Sequence, residues 1–280
     1  MGTTVPMEVS SLSRVLAVIG DPIEHSLSPS MHNAAIAASG LDAVYVAFQV
    51  EAVSLPHVLR AFEALGVAGN VTVPHKVAVS SLLIRVTGIA KDVGAVNTFW
   101  PENGRLIGDN TDVQGVLDTV ASLDADGPWL ILGTGGAARA AIIAARELAV
   151  PVRIRSRQDS RANDLAEWAR LRGVSDAAAD DGSLDFGVAI NATPVGMAGD
   201  HRLPMPREFV ERCAAGFDMV YESTPTPFVE LFLSQHKTAV DGRTMLVAQG
   251  VYAFERFFPD IQAPREVMRA AVNRWIGQRS

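Results

Sequence analysis

Two serines stand where a strand pattern turns into a helix near the start of the chain. The segment IGDPIEHSLSPSMHN, residues 19–33, ends an apolar run and then presents Ser26 and Ser28 ahead of Pro29. Paired hydroxyls donate hydrogen bonds to a carboxylate or to sugar-like hydroxyls. Ser28 can equally be the N-cap of a helix that starts at Pro29, because proline is favoured at the first helical position. The spacing leaves both interpretations open.

A second strand-to-helix junction carries the glycines that the first one lacks. LILGTGGAARAA, residues 130–141, contains the pattern G-x-G-x-x-A between an apolar run and a helical pattern. Gly133 permits a tight turn, Gly135 lets the backbone approach a pyrophosphate, and Ala138 allows close packing of helix on sheet. The pyrophosphate would face free N–H groups and the positive end of the helix dipole. A turn that only packs tightly is the alternative, but the context favours a dinucleotide site.

Basic residues after the next strand bear on which dinucleotide binds. An NAD site of this kind usually offers an acid to the ribose 2′-hydroxyl about 20 residues after the glycines. This chain instead has Arg155, Arg157 and Arg161 in that region. Guanidinium groups can grip a phosphate through two hydrogen bonds at once, which favours NADP over NAD. Asp159 could instead contact a ribose hydroxyl, and a solvated basic face is another interpretation of the arginines.

Polar side chains also follow other strand ends in the first third of the chain. They belong to the stretches GNVTVPHK, VGAVNT and GDNTD and are Asn70, Thr72, Lys76, Asn97, Asn110 and Asp112. A lysine just after a proline is usually a surface charge. Hydroxyl, amide and carboxylate groups at several strand ends of one domain nevertheless indicate a binding site for a polar molecule.

Along the chain, apolar segments typical of strands alternate with segments that have the period of a helix. In the first third the strand patterns are RVLAVIG, VYVAFQV and GNVTV, followed by a hairpin of AVNTFW and RLIGDN. A second series runs through PWLILG, VRIRS, GVAIN and GFDMVY, with helical patterns between them. Such alternation predicts an α/β fold with parallel sheets and right-handed crossovers.

A chain of 280 residues suits two domains. The first sheet pattern ends near Asn110, and a helix then leads into the second series. The last two helical patterns, Met245–Phe257 and Pro264–Ile276, have no strand after them. We therefore expect them to return to the first domain, and we predict a division into 1–111, 112–241 and 242–280.

Composition narrows the partners and the compartment. The formal charge of −7 argues against binding nucleic acid or an anionic membrane. The chain has one cysteine, Cys213, which we expect to be a small buried hydrophobe on a helix, and this usage favours a reducing cytoplasm. We find no signal-peptide pattern, and glycines with Arg139 interrupt the longest apolar stretch, Trp129–Ala145. The six histidines show no metal-ligand spacing, so we predict no metal.

Taken in order, the motifs resemble those of the shikimate dehydrogenase family from residue 19 to about residue 258. The matching stretches are GDPIEHSLSPSMHN, GNVTVPHK, GAVNT, GDNTD, GTGGA, NATPVGM, DMVY with TPF, and MLVAQ. The resemblance implies an N-terminal mixed or parallel α/β substrate domain and a Rossmann-type dinucleotide-binding domain, with a cleft between them. It also implies that residues 1–111 bind substrate, that 112–241 bind NADP, and that 242–280 return to the substrate domain.

The resemblance assigns roles to particular residues. Lys76 and Asp112 would be the catalytic pair. The implied substrate-binding residues are Ser26, Ser28, Asn70, Thr72, Lys76, Asn97, Asp112, Tyr221 and Gln249. The implied cofactor-binding residues are Gly133, Thr134, Gly135, Gly136, Ala137, Ser156, Arg157, Arg161, Ala192, Thr193, Met197 and Gly242. Ser156 and Gln158 replace the family's usual Asn and Thr, and Gly250 replaces a more usual Ala.

The implied reaction is the reversible, NADPH-dependent reduction of 3-dehydroshikimate to shikimate, a step toward chorismate and the aromatic amino acids. The substrate would be a small molecule, with no nucleic acid and no membrane partner, and the protein would be a cytoplasmic monomer or homodimer. One alternative is a quinate/shikimate dehydrogenase of broader substrate or NAD use. Another is a non-catalytic NADP or shikimate sensor, which the presence of both Lys76 and Asp112 disfavours. A pterin-reducing enzyme does not suit Ser26, Ser28 and Gln249.

Overall fold

The computed structural model describes residues 9–277 and, for side chains, residues 9–274. Within residues 9–277 the strands form two six-stranded sheets, and the chain divides into two compact units. The first unit takes the chain up to Ala90 together with Ala95–Asp109 and Gly250–Trp275. The second takes Lys91–Gly94 and Asn110–Gln249. The α/β fold class predicted from the alternating patterns is confirmed.

The first sheet and its helices come from the first part of the chain. Their bounds are β1 (Arg14–Gly20), α1 (Ser28–Ala38), β2 (Ala43–Gln49), α2 (Leu55–Leu65), β3 (Ala68–Val71), α3 (Lys76–Leu82), β4 (Arg85–Val86), α4 (Gly88–Val93), β5 (Thr98–Glu102) and β6 (Arg105–Asp109). The strand order is β2-β1-β3-β5-β6-β4. Strand β1 pairs in parallel with β2 and β3, whereas β5 pairs antiparallel with β3 and β6. The first sheet is therefore mixed.

The hairpin between β5 and β6 explains why this sheet is not purely parallel. Asn103 and Gly104 form its two-residue turn, with φ angles of 52° and 74°. Asn-Gly is the pair that such a turn favours, because both positions require positive φ. Since β5 then runs against β3, its first residues lie at the edge of the sheet where β1 and β3 end.

The second unit contains a wholly parallel sheet. Its elements are α5 (Asp112–Val120), β7 (Trp129–Leu132), α6 (Gly136–Glu147), β8 (Val152–Arg155), α7 (Asp159–Arg170), β9 (Ala178–Ala179), β10 (Phe186–Asn191), β11 (Cys213–Asp218), α8 (Pro227–Ser234) and β12 (Thr238–Val240). The strand order is β12-β11-β10-β7-β8-β9, and every adjacent pair is parallel. When the strands are numbered along the chain from β7 and read from β9, the order is 3-2-1-4-5-6, which is that of the Rossmann fold. In that fold ligands bind where the strand order reverses, which here is outside the ends of β7 and β10.

Helix α6 shows why this unit folds around its sheet. Six consecutive residues, Ala140–Ala145, are each 0% exposed. Four of them are alanines, and small side chains let a helix lie close to a sheet. A helix that is apolar nearly all round is buried on several sides, so α6 belongs to the interior of the unit.

The chain ends in two helices, α9 (Gly242–Phe257) and α10 (Arg265–Gly277). The division into units falls inside α9, between Gln249 and Gly250. In the first unit Gly250 leaves room for two methionines, since a Cβ there would overlap Met31 and lie 3.2 Å from the Cε of Met268. A larger residue at this point of α9 would displace that packing.

Two sequence-based expectations concern single features of the fold. Cys213 is buried as predicted, at 1% exposure, but it begins strand β11 and is not on a helix. The helical interpretation was wrong because a short 3-10 turn, Arg207–Arg212, ends directly before it. Burial raises the pKa of the Cys213 thiol to about 12, so it is a poor nucleophile. Within residues 9–277, no helix is long and apolar enough to cross a membrane.

Candidate active site

The serine turn lies between β1 and α1. Helix α1 begins at Ser28, its N-cap is Leu27, and no side chain caps it. The interpretation of Ser28 as an N-cap is therefore wrong, because the residue already stands inside the first turn. The Ser28 N–H donates a 3.3 Å hydrogen bond to the Ser26 hydroxyl oxygen, which places the two side chains on one turn. Ser28 is 8% exposed and Ser26 is half-buried.

A buried phenol lies beside this turn. Tyr45, on β2, is 1% exposed, and its hydroxyl donates a 2.7 Å hydrogen bond to Asn70 Oδ1. Burial raises the pKa of Tyr45 well above its ordinary value, and hydrogen bonding with the Ser28 side chain opposes that shift. The phenol therefore remains protonated and can act as a fixed donor.

The side chain of Asn70 makes hydrogen bonds within the first sheet, and these limit how it can contact a substrate. It is 5% exposed. Its Nδ2 donates to the Asn97 carbonyl oxygen at 3.1 Å and to Thr98 Oγ1 at 3.0 Å. Since an amide nitrogen has two hydrogens, Asn70 can contact a substrate hydroxyl only as an acceptor, through Oδ1.

The other predicted substrate residues of the first unit gather at one edge of its sheet. The Thr72 N–H donates to the Ile19 carbonyl oxygen at 2.9 Å, which ties the end of β3 to the end of β1. Asn97 stands directly before β5 and is 2% exposed. Lys76 begins α3, and its carbonyl oxygen accepts the Val96 N–H at 2.8 Å. The structure thus brings Thr72, Lys76 and Asn97 to the edge that also carries the serine turn.

In the second unit, Asp112 and Gln249 stand on two helices that touch. Asp112 is the first residue of α5 and is 4% exposed, and its N–H donates to Asn110 Oδ1 at 3.1 Å. A carboxylate at this position interacts favourably with the positive end of the helix dipole. One turn on, a Cβ at Gly115 would lie 3.2 Å from Gln249 Cβ, so the missing side chain lets α5 approach α9. Gln249 is 9% exposed.

The glycine turn has the form a dinucleotide pyrophosphate needs. Gly133 has a φ of 106°, and a Cβ there would lie 2.9 Å from Thr193 Cγ2. Gly135 is the N-cap of α6, and a Cβ there would meet no atom within 4 Å. Among the described residues no side chain caps α6, so the backbone N–H groups of its first turn, those of Gly136 and Ala137 included, can donate to a ligand. Thr134 is half-buried between the two glycines. The residues present therefore fit a bound dinucleotide.

The arginines after β8 divide into two kinds. The Arg155 guanidinium lies 2.8 Å from Asp180, whose side chain is 1% exposed, and 4.1 Å from the centroid of the Phe209 ring. The Arg155 guanidinium therefore makes contacts within the protein, and we assign it a structural role and not a ligand-binding one. Arg157 and Arg161 are exposed. The Gly133 N–H donates to the Arg155 carbonyl oxygen at 2.9 Å, which places the end of β8, and Ser156 after it, next to the glycine turn.

The loop after β10 is held by hydrogen bonds from one asparagine. Asn191 Nδ2 donates to Asp218 Oδ1 at 2.8 Å and to the Val195 carbonyl oxygen at 3.1 Å. The N–H and the hydroxyl of Thr193 donate to Asn191 Oδ1 at 3.0 and 2.6 Å. Ala192 is half-buried and Met197 is 52% exposed. The loop that carries the implied cofactor-binding residues Ala192, Thr193 and Met197 is therefore fixed at its base and exposed at its tip.

Asp218 anchors this loop from the neighbouring strand. It is fully buried and accepts hydrogen bonds from Thr226 Oγ1 at 2.6 Å and from the Val220 N–H at 3.0 Å. Burial raises its pKa to about 6, although the hydrogen bonds from Thr226 and Asn191 oppose that shift. Close by, a Cβ at Gly242 would overlap the Met219 carbonyl and lie 3.2 Å from the Tyr221 ring, so the absence of a side chain there is required.

Comparison with known proteins identifies the family. A model described as the shikimate dehydrogenase substrate binding domain matches residues 18–99, and one described as the shikimate 5′-dehydrogenase C-terminal domain matches residues 242–272. The chain is 39% identical to the shikimate dehydrogenase (NADP+) of Synechococcus sp. (strain JA-3-3Ab), over 96% of this chain and 97% of the relative. The chain belongs to the shikimate dehydrogenase family.

Two solved structures have a similar fold. Shikimate 5-dehydrogenase from Thermus thermophilus, in complex with NADP(H) and shikimate, matches with a TM-score of 0.83 and 32% identity, over 93% of this chain and 99% of that one. The ligand-free 5-ketofructose reductase of Gluconobacter sp. strain CHM43 matches with a TM-score of 0.81 and 26% identity, over 95% and 100%. A shikimate dehydrogenase fold is thus also found in a protein named for another ketone.

Sequence reasoning assigned no role to Tyr45 or Asp218. Asp218 stands in the DMVY stretch that matched the shikimate dehydrogenase family, directly at a strand end, and this was the available signal. Tyr45 gave none, because it reads as an ordinary apolar residue of an edge strand. For the metal prediction, the described residues contain no group of three or more His, Cys, Asp or Glu that could hold an ion.

Proposed function

We propose that this protein catalyses the NADPH-dependent, reversible reduction of 3-dehydroshikimate to shikimate. The observation that carries the proposal is the full-length similarity to a shikimate dehydrogenase (NADP+), in a chain that has both Lys76 and Asp112. A sensor of the same metabolites would need neither group. The substrate in this proposal is a small molecule, and the single buried cysteine favours a cytoplasmic enzyme. We propose a monomer or a homodimer.

Each part of the chain takes one task in this proposal. Residues 1–111 bind the substrate, 112–241 bind NADP, and 242–280 support the substrate domain. The mixed sheet with its cluster of polar residues supports the first assignment, and the Rossmann strand order with its glycine turn supports the second. The place of α10 with the first sheet supports the third.

The chemistry requires one hydride and one proton. Bound NADPH supplies the hydride to the carbonyl carbon of 3-dehydroshikimate. Lys76, as an ammonium, donates a hydrogen bond to the carbonyl oxygen and then its proton, so that the oxygen ends as a hydroxyl. Asp112, the first residue of α5, completes the acid–base pair. In the oxidation direction Lys76 must instead accept the proton.

Substrate recognition divides between its carboxylate and its ring hydroxyls. The hydroxyls of Ser26 and Ser28 bind the carboxylate, which two neutral donors can do without a full opposite charge. The ring hydroxyls are bound by five other predicted substrate-binding residues, Asn70, Thr72, Asn97, Asp112 and Gln249. Tyr221 approaches the carboxylate side, and Lys76 binds at the reacting carbonyl oxygen.

Cofactor recognition follows the glycine turn. The backbone of Gly133–Ala137 binds the pyrophosphate, and Ser156, Arg157 and Arg161 bind the 2′-phosphate of NADP. Ala192, Thr193 and Met197 would contact the nicotinamide, and Gly242 would also contact the cofactor. The exposed positions of Arg157 and Arg161 support this assignment, because both guanidinium groups face solvent where a phosphate can reach them.

A steady-state assay tests the function directly. Purified protein is given shikimate or quinate, each with NADP and with NAD, and the absorbance of the reduced nicotinamide is followed. Reduction of 5-ketofructose with NADPH is measured in parallel, because a protein of similar fold carries that name. We expect shikimate with NADP to give the highest kcat/KM. Equal use of quinate or of NAD would indicate the broader dehydrogenase, and turnover of 5-ketofructose alone would contradict the proposal.

A further inference from the structure

A continuous run of polar side chains crosses the interior of the first unit beneath the proposed substrate residues. We name it the hydroxyl–amide chain, and its members in order are Ser28, Tyr45, Asn70, Thr98 and Asn97. Its two ends are predicted to bind different parts of the substrate. All five residues are at most 8% exposed, so their hydrogen bonds are shielded from water.

The bonds of this chain have a fixed direction. Tyr45 has one proton and donates it to Asn70 Oδ1 at 2.7 Å. Asn70 Nδ2 then donates to Thr98 Oγ1 at 3.0 Å. The Thr98 hydroxyl donates in turn to Asn97 Oδ1 at 3.0 Å. Each hydrogen bond fixes whether the next group acts as donor or acceptor. The hydroxyl–amide chain therefore determines the orientation of the side-chain amides of Asn70 and Asn97.

Tyr45 is the best-fixed member. Asn33 holds its backbone on both sides, accepting from the Tyr45 N–H and donating to the Tyr45 carbonyl oxygen, each at 2.8 Å. Its ring is stacked on the buried ring of His32, with centroids 4.4 Å apart. The Ser28 side chain also hydrogen-bonds with the Tyr45 hydroxyl. The Tyr45 hydroxyl is thus a rigid point between the serine turn and Asn70.

We propose that Tyr45 is a positioning residue for substrate recognition, and that through the hydroxyl–amide chain its hydroxyl fixes the side chains of Ser28 and Asn97. The proposal rests on the proposed function. A carboxylate needs its donor at one place, and a ring hydroxyl needs an amide turned one way. By fixing Ser28 and Asn97, Tyr45 sets the distance between the side chain that binds the carboxylate and the side chain that binds a ring hydroxyl. A substrate that carries a carboxylate and a hydroxyl at that distance is thereby favoured.

Tyr45→Phe tests the proposal, because it removes one oxygen and keeps the stacked ring. Asn70 Oδ1 then loses its donor in a buried place, and Ser28 loses its partner. We expect the KM for shikimate to rise about tenfold, which corresponds to about 1.4 kcal/mol. The KM for NADP should stay unchanged, and kcat should fall by a smaller factor than the KM rises. A merely structural role would lower the thermal unfolding midpoint without this split.

A double-mutant comparison asks whether the chain acts as one unit. Thr98→Val interrupts the same chain and should also raise the shikimate KM. Combined with Tyr45→Phe, it should add little, because each change already breaks the chain. Thr87→Val is the matched control, since its hydroxyl bonds to Asp109 and not to the chain. Its small effect should add fully to that of Tyr45→Phe.

The outcomes separate this proposal from the proposed function. An active wild type whose Tyr45→Phe variant keeps its shikimate KM would overturn the positioning role alone. Full additivity of Tyr45→Phe with Thr98→Val would overturn it as well. A wild type with no shikimate turnover would overturn the proposed function and this inference with it. If Tyr45→Phe does not fold, Thr98→Val decides alone, and an unchanged KM then refutes the proposal.

Discussion

The imidazole ring of His32 is stacked on the phenol ring of Tyr45, with centroids 4.4 Å apart and planes 9° apart. His32 is fully buried, and neither of its ring nitrogens has a hydrogen-bond partner among residues 9–274. The rings of Phe254 and Phe257 complete its surroundings, at 6.4 and 5.8 Å. Burial lowers the pKa of His32 to about 3, so the ring packs as a neutral aromatic group.

This burial predicts a specific acid sensitivity. Between pH 6.5 and about 3 the unfolded chain protonates His32 but the folded protein does not, so stability must fall as the pH falls through that window. From pH 6.5 to pH 5 the loss from this one group is on the order of 2 kcal/mol. His32→Phe should make the fall shallower, as measured by urea unfolding at pH 7 and pH 5. His57→Phe, at an exposed position on α2, should leave it unchanged. Equal slopes in all three proteins would contradict the account.

Lys76→Ala should lower kcat by about 10² to 10⁴, because it removes the proton donor and a positive charge beside the developing alkoxide. The KM for NADP should barely change, since the glycine turn belongs to the other unit. Steady-state kinetics with shikimate check both values, and Lys91→Ala, an exposed lysine on α4, is the matched control. Asp112→Asn should lower kcat too, and the double variant should be little worse than the worse single one. A Lys76→Ala protein with most of its turnover would refute the proposed acid.

The strand and helix patterns were sufficient for much of the fold but not for all of it. Strand β10 was predicted to within one residue, from the run GVAIN, because a continuous apolar run indicates a buried strand. Strand β12 and helix α3 were not predicted. Each is short, at three and seven residues, and a few residues cannot display a period.

The candidate residues divide in the same way. Motifs that are contiguous in the sequence, such as the glycine turn, could be predicted because turn chemistry is local. Tyr45 and Asn70 are 25 residues apart, and Asn191 and Asp218 are 27 apart. Pairs of this kind follow from strand order and register, which no local pattern contains. Arg155 gives the opposite lesson: its type suited a phosphate, but only the structure reveals the buried Asp180 that it pairs with.

That distinction predicts different results for two arginines two residues apart. Arg157→Ala should raise the KM for NADP about tenfold or more and leave the NAD value nearly unchanged, because one charge-assisted hydrogen bond is worth about 1.5 to 3 kcal/mol. Arg155→Ala should instead lower the free energy of unfolding, since it leaves the carboxylate of Asp180 buried and unpaired. Kinetics with both cofactors and urea unfolding separate the two effects. A wild type that uses NADP and NAD equally well would contradict the assignment.

The last prediction concerns Thr226, whose hydroxyl has two tasks. It donates to Asp218 Oδ2 at 2.6 Å and accepts the Val229 N–H at 3.3 Å, as the N-cap of α8. Thr226→Val removes the cap, at a cost of about 0.5 to 2 kcal/mol. It also leaves Asp218 Oδ2 without that donor in a buried place, at a cost of about 1 to 3 kcal/mol. Urea unfolding at pH 7 should show the summed loss, and Thr226→Ser should recover most of it.

The pH dependence of this loss identifies the role of Asp218. Because its folded pKa is raised from 3.8 to about 6, its charge destabilises the folded protein, and this cost grows as the pH rises through that window. Removing a donor to the charged form raises the pKa further, so the loss in Thr226→Val should be larger at pH 7 than at pH 4. Asp218 also holds Asn191 at the base of the loop predicted to lie at the nicotinamide. The KM for NADPH should therefore rise more than the KM for 3-dehydroshikimate, and equal losses at both pH values with both KM values unchanged would show that Thr226 acts only as a helix cap.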